Sequence, residues 1–224
     1  MADKKKTPPK QAPQQAAGSK RNLWIILGAA VVIAVIAAGG LVWASQRSGN
    51  ADKGANAADV EAGKLKDVKM VQDFFAGMPQ EGYTLGDPNA PVTITEFGDL
   101  RCPVCKTFAL ETENQMIGTF VKSGKAKFQF RVWPILGTDS VNAARCAAAA
   151  QKQNMLFQYQ DLWYHNQQDE MTDYATPEFC DGIAQALGLN MEQFKADRED
   201  EAVWAPEVQD VQVIAAQENF GGTP

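Results

Sequence analysis

The sequence predicts an α/β sandwich carrying a helical insertion, preceded by one N-terminal transmembrane helix. Three observations predict it. Cys102-Pro103-Val104-Cys105 sits between a strand-like run, Pro91 to Phe97, and a helix-like run that reaches about Val121. Lys127 to Trp133 alternates as a second strand, and from about Thr138 to Phe220 the signals are nearly all helical. Leu23 to Ala44 is 22 residues without a charge, enough at about 1.5 Å per residue to cross a hydrocarbon core.

Taken in chain order, residues 1–22 are rich in Lys, Pro and Gln and are expected to be disordered. They carry +5, from Lys4, Lys5, Lys6, Lys10, Lys20 and Arg21 against Asp3. The formal total is −6, so the remainder carries −11. The positive-inside rule then keeps the tail in the cytoplasm and places everything after Ala44 outside. Trp24 and Trp43 flank the span, as interface aromatics do. A cleaved signal peptide is the alternative, but the apolar run exceeds the usual h-region. Residues 45–64 read as a flexible tether, and residues 65–224 as one domain.

Within that domain, Leu65, Val68, Val71 and Phe75 have a short helical period. Gly86-Asp87-Pro88-Asn89-Ala90-Pro91 is a turn cluster before the first strand. After the cysteine pair, Val104, Phe108, Ile117, Phe120 and Val121 fall on helical spacing. Pro134 stops the second strand. Thr138 or Asp139 is expected to cap a helix through Ala143–Ala150, and Met155 to Asn166 is an aromatic-rich helix. Thr176-Pro177 opens another helix that stops at Gly188; Asn190 with Gln193 resembles a capping box. Val203 to Asn219 is the last helix.

A thiol at a helix N-terminus faces the positive end of the macrodipole and free N–H groups, and both favour the thiolate that attacks disulfides. A second thiol three residues on can close a disulfide onto the first. Outside the cytoplasm such a pair is suited to making or rearranging disulfides. Glu96 shares the strand parity of Val92 and Ile94, so it is expected to point with apolar residues and to have a raised pKa. A solvated strand-end acid is the plainer reading.

Leu85 to Phe97 followed by Cys102-Pro103-Val104-Cys105 resembles the DsbA-like thiol–disulfide oxidoreductases, in particular the membrane-anchored ones of Gram-positive bacteria. Ser140 to Ala147 and Phe157 to Trp163 resemble the first helices of that family's inserted helical domain, here about residues 138–200. The resemblance implies a thioredoxin-like fold without a cofactor. It implies Cys102 as exposed nucleophile, Cys105 as buried resolving thiol and Glu96 as the acid that shuttles the Cys105 proton. It also implies that Thr223-Pro224 is the cis-proline loop that binds substrate backbone. The implied partners are unfolded exported proteins and a membrane reoxidising enzyme, DsbB-like or vitamin-K-epoxide-reductase-like. A reductase or isomerase on the same fold, or a non-catalytic anchored binding module, are the alternatives; a monomer is expected. Two departures stand out. The family continues past the cis-proline with two strands and a helix, so the domain is expected to be truncated. Val104 stands where many relatives have His, so a weaker oxidant is expected.

Cys146 and Cys180 each share a helical face with apolar residues, and the sequence leaves open a disulfide or two buried free thiols. One C-x-x-C and a single histidine, His165, do not make a zinc site. His165 is expected to cap a helix end. The acidic outer part argues against nucleic acid. Phe157, Tyr159, Trp163 and Tyr164 are expected in the core, with a few lining a substrate groove.

Overall fold

A strand, a crossover helix and a parallel strand carry the cysteine pair. In the computed structural model residues 64–224 are described; the expected tail 1–22, span 23–44 and all of the tether but Lys64 lie outside them. Among the described residues no helix is long and apolar enough to cross a membrane.

Helix α1 (Val68–Phe75) buries Val71 and Phe75. A short hairpin follows, β1 (Gln80–Glu81) and β2 (Thr84–Leu85). Gly86 then turns the chain at φ +101, and a Cβ there would lie 2.5 Å from Val121 Cγ1, so only glycine fits. Asp87 accepts the Asn89 N–H at 2.8 Å, closing the turn that feeds β3 (Val92–Gly98). Helix α2 begins at Pro103–Phe108 and runs on to Val121 through two π-helical stretches, Ala109–Glu113 and Ile117–Val121. Strand β4 (Ala126–Val132) alternates buried and half-buried residues throughout. The sheet order is β1-β2-β4-β3, with β3 parallel to β4 and the other pairs antiparallel.

Helices α3 (Thr138–Gln151), α4 (Leu156–His165), α5 (Pro177–Ala186), α6 (Met191–Glu199) and α7 (Glu201–Gln217) follow. Thr176 caps α5 by accepting the Phe179 N–H at 3.3 Å, with Pro177 at the first helical position. Asn190 caps α6 by accepting the Glu192 and Gln193 N–H groups. The expected cap of α3 is corrected: Gly137 holds that position, and Thr138 and Asp139 are already helical. Asp139 instead accepts the Ala175 N–H at 3.4 Å and lies 4.0 Å from Arg101.

The helices pack closely because α3 presents small residues: Ala143, Ala144, Ala147 and Ala150 are buried. A disulfide joins Cys146 on α3 to Cys180 on α5 across 6.1 Å between Cα atoms. The Cys146 and Cys180 thiols are therefore bonded rather than free. Helix α7 returns to the sheet, where Arg131 of β4 donates to both oxygens of Glu207 at 2.6 and 3.0 Å.

The apolar face of α2 differs from the one expected. Cys105, Ala109, Glu113, Ile117 and Val121 are buried, whereas Val104 is 59% and Phe120 43% exposed. Residues four apart drift around a regular helix of 3.6 residues per turn. The widened π turns cancel that drift and hold a four-residue stripe against the sheet.

Candidate functional site

The site is built where β3 ends and α2 begins. Cys102 occupies the N-cap position of α2 in an extended conformation, and Pro103 is the first helical residue. Cys105 lies one turn in, on the core face, with no exposure. Cys102, expected to be exposed, is also buried, yet its 8% exposure makes it the more accessible of the two. Both are free thiols, and their side chains hydrogen-bond each other. Burial pushes the Cys105 thiol far above its usual range; hydrogen bonds from the Thr223 side chain and the Asp99 N–H, the latter at 3.5 Å, oppose the rise. The structure therefore brings Thr223 to the cysteine pair from more than a hundred residues away in sequence. The Thr223–Pro224 peptide is cis.

The loop from Asp99 to Cys102 is held from two sides. Asp99, fully buried, accepts the Ile135 and Leu136 N–H groups at 2.8 and 3.0 Å and the Arg101 N–H at 2.8 Å. From the helical block, Trp163 Nε1 donates to the Leu100 carbonyl at 2.8 Å, and Tyr164 Oη donates to the Asp99 carbonyl at 3.3 Å. Gln167 Nε2 bridges the Leu100 and Cys102 carbonyls at 2.8 and 3.2 Å. The buried Arg101 guanidinium ties the loop to the carbonyls of Leu136, Glu170 and Thr172. The insertion thus fixes the Cys102 loop through bonds to its backbone.

Glu96 is buried on β3 opposite Phe130, as its parity implies. Burial raises its carboxyl to about 7. Gly98 makes room for it: a Cβ at that position would lie 3.0 Å from Glu96 Oε1 and 2.5 Å from Phe130. Glu96 and Pro224 line one cleft of about 330 Å³ along the free edge of β3, together with Ile94, Phe97, Phe108 and Phe220.

The structure gathers Cys102, Cys105 and Thr223 at one end of α2, with Glu96 and Pro224 sharing the adjacent cleft. Cys146 and Cys180 are placed elsewhere, within the helical block. Phe157, Tyr159, Trp163 and Tyr164 are all buried in the core, as expected, and the alternative of a groove lining falls for all four. His165 ends α4 with its Nδ1 3.0 Å from Asp67 Oδ2 and its Nε2 3.7 Å from Asp161, an interhelical pairing rather than a carbonyl cap. Sequence reasoning missed Arg101, Gln167 and Glu113. Glu113 was legible in part, since it lies on the stripe Cys105, Ala109, Ile117 and Val121 at a spacing of four.

A cysteine pair at the start of the crossover helix, a cis-proline loop against it and a helical insertion define a DsbA-like thioredoxin fold. The chain belongs to the thioredoxin family: the family model described as thioredoxin matches residues 79–224. A relative from Bacillus cereus, named probable disulfide bond formation protein D, is 30% identical over 129 residues. That match covers 56% of this chain and 59% of the relative, so the chain spans less than two thirds of the relative's length. The oxidised crystal structure of BdbD from Bacillus subtilis is similar at a TM-score of 0.59 and 25% identity, covering 66% of this chain and 83% of that one. A thioredoxin-like oxidoreductase from Silicibacter pomeroyi is similar at 0.54 and 28%, covering 68% and 82%.

Proposed function

We propose that this chain is an extracytoplasmic disulfide donor, anchored by residues 23–44 with residues 1–22 in the cytoplasm and residues 45–64 as tether. The observation that carries the reading is the asymmetry of the cysteine pair. Cys102 sits at a helix N-cap with some access, while Cys105 is enclosed and its thiol is strongly disfavoured from ionising. A substrate thiolate attacks Cys102 Sγ, the bond to Cys105 breaks, and its electron pair stays on Cys105 Sγ. Protonated Glu96 supplies the proton that Cys105 takes up. A second substrate thiolate then attacks the substrate sulfur bonded to Cys102, and Cys102 leaves with its electron pair. The substrate has lost two electrons as a new disulfide, and the pair has gained two. Thr223 and Pro224 hold the substrate backbone as an added strand.

The substrates are unfolded exported proteins with reduced cysteines. The pair is reoxidised by a membrane enzyme, DsbB-like or vitamin-K-epoxide-reductase-like. Glutathione titration of the Cys102–Cys105 couple tests the reading. A potential near the roughly −120 mV of a strong oxidant supports donation; one near the roughly −270 mV of thioredoxin makes the protein a reductase.

A further inference from the structure

Glu113 has no part in the scheme above, yet it is 3% exposed at the centre of the α2 stripe. Its carboxyl and that of Glu96 hydrogen-bond each other. No N–H or hydroxyl donor reaches either oxygen of Glu96. Two ionised carboxylates are both acceptors, so the contact exists only with a carboxyl proton between them. Gln160 Nε2, on α4, fixes the other side of the pair by donating to Glu113 Oε2 at 3.0 Å. Asp161 and Tyr164 on α4 interact with the pair, and Cys105 on α2 and Asp99 on the Cys102 loop act on the same Tyr164 hydroxyl. None of the groups that shift either carboxyl is a cation.

We propose that Glu113 is a positioning residue that keeps its own proton and donates it as a hydrogen bond to Glu96, so that Glu96 alone exchanges a proton with Cys105. The assignment rests on the disulfide-donor reading. When Glu96 gives its proton to the Cys105 thiolate it becomes a buried carboxylate, and the Glu113 O–H is then its hydrogen-bond donor. The proton count closes: one leaves Glu96, one arrives on Cys105, and that of Glu113 stays. Physical cause agrees with geometry. The Glu113 bond holds the Glu96 carboxyl down against desolvation, while burial and the Glu96 charge push Glu113 well above the carboxylate range. Glu96 is thereby left near neutrality, where a proton carrier is most effective.

Infrared titration of the intact reduced chain and pH–rate profiles of peptide-dithiol oxidation test this. The wild type should keep a protonated-carboxyl C=O band at pH 8.5 that Glu113→Gln removes. Glu113→Leu, which deletes the donor, should move the Glu96-dependent inflection upward by about one pH unit, roughly tenfold in rate at neutral pH. Glu113→Gln, whose amide still donates, should stay within about twofold of wild type and keep the inflection. Absence of the band in the wild type overturns the proposal, as does an unmoved inflection in folded Glu113→Leu. If Glu113→Leu does not fold, the infrared comparison decides alone. A wild type that oxidises no dithiol overturns the donor reading instead, and the band still decides whether Glu113 holds its proton.

Discussion

The two cysteine pairs of this chain sit in opposite surroundings. Cys102 and Cys105 straddle a helix start, held by backbone hydrogen bonds and lying against the buried Asp99. Cys146 and Cys180 lie within helices α3 and α5, both buried, with Tyr159 Oη donating to the Cys180 carbonyl at 3.2 Å. The difference teaches that spacing alone does not assign a redox role. A pair works when one sulfur has access and a helix terminus, and it braces when both sulfurs are sealed in a packed core.

The largest expected effect breaks the comparison outright. Cys102→Ala should reduce dithiol oxidation to background, whereas the double variant Cys146→Ala, Cys180→Ala should keep it. The double variant should instead lose about 2–4 kcal/mol of stability in urea denaturation. Comparable activity losses in both variants would erase the distinction. Stepwise reduction sharpens it: mass spectrometry of alkylated thiols should show the Cys102–Cys105 bond opening first, since sealed structural disulfides resist the glutathione pool.

The buried acids give the next effect, of similar size and opposite sign. The folded state holds the Glu96 proton up to about pH 7, beyond the unfolded value of 4.5. The folded state therefore binds more protons between those limits, and stability falls as pH rises through them. The loss is on the order of 3 kcal/mol, from a shift of that width. Glu96→Gln removes this titration. Urea melts should show it gaining on wild type from pH 4.5 to 8, with a constant difference below pH 4.5. Parallel stability curves would show that Glu96 ionises freely in the folded chain.

The strand, the cysteine pair and the helical character after residue 138 were legible because each rests on local chemistry: alternation in Lys127 to Val132, Pro103 after the N-cap, and caps at Thr176 and Asn190. The hairpin β1–β2 was not, since two-residue strands carry no period. Neither was the α2 stripe, because a regular helical period misassigns residues once π turns intervene. Parity found Glu96. Its partner Glu113, and the Trp163 and Gln167 bonds to the active-site loop, arise from tertiary contact alone.

Trp163→Phe probes how the helical block acts on the redox loop. It removes the Nε1 bond to the Leu100 carbonyl, but that carbonyl keeps Gln167 and the Tyr174 hydroxyl at 3.5 Å. The acceptor stays satisfied, so the cost should be about 1 kcal/mol rather than the larger penalty of an orphaned group. Because the loop carries Cys102, peptide oxidation should slow by about two- to fivefold, as expected for a small displacement of a positioned group. Stopped-flow rates matching wild type would show that the remaining bonds hold the loop without Trp163.

Asn190→Ala sets the lower limit. Asn190 satisfies two N–H groups at the start of α6, on the far side of the disulfide-braced block, and its own backbone N–H and carbonyl pair with Gln153. Losing the side-chain cap should cost about 1 kcal/mol of stability in urea denaturation. The backbone pairing with Gln153 survives the substitution, so α6 keeps its place against α3. No contact of Asn190 reaches Asp99, Cys102 or Glu96, so both the oxidation rate and its pH profile should match wild type. Distant sites without shared partners act independently. A changed pH profile in this variant would mean that the helical block and the redox half move as one unit, and the contrast between the two cysteine pairs would then be one of access alone.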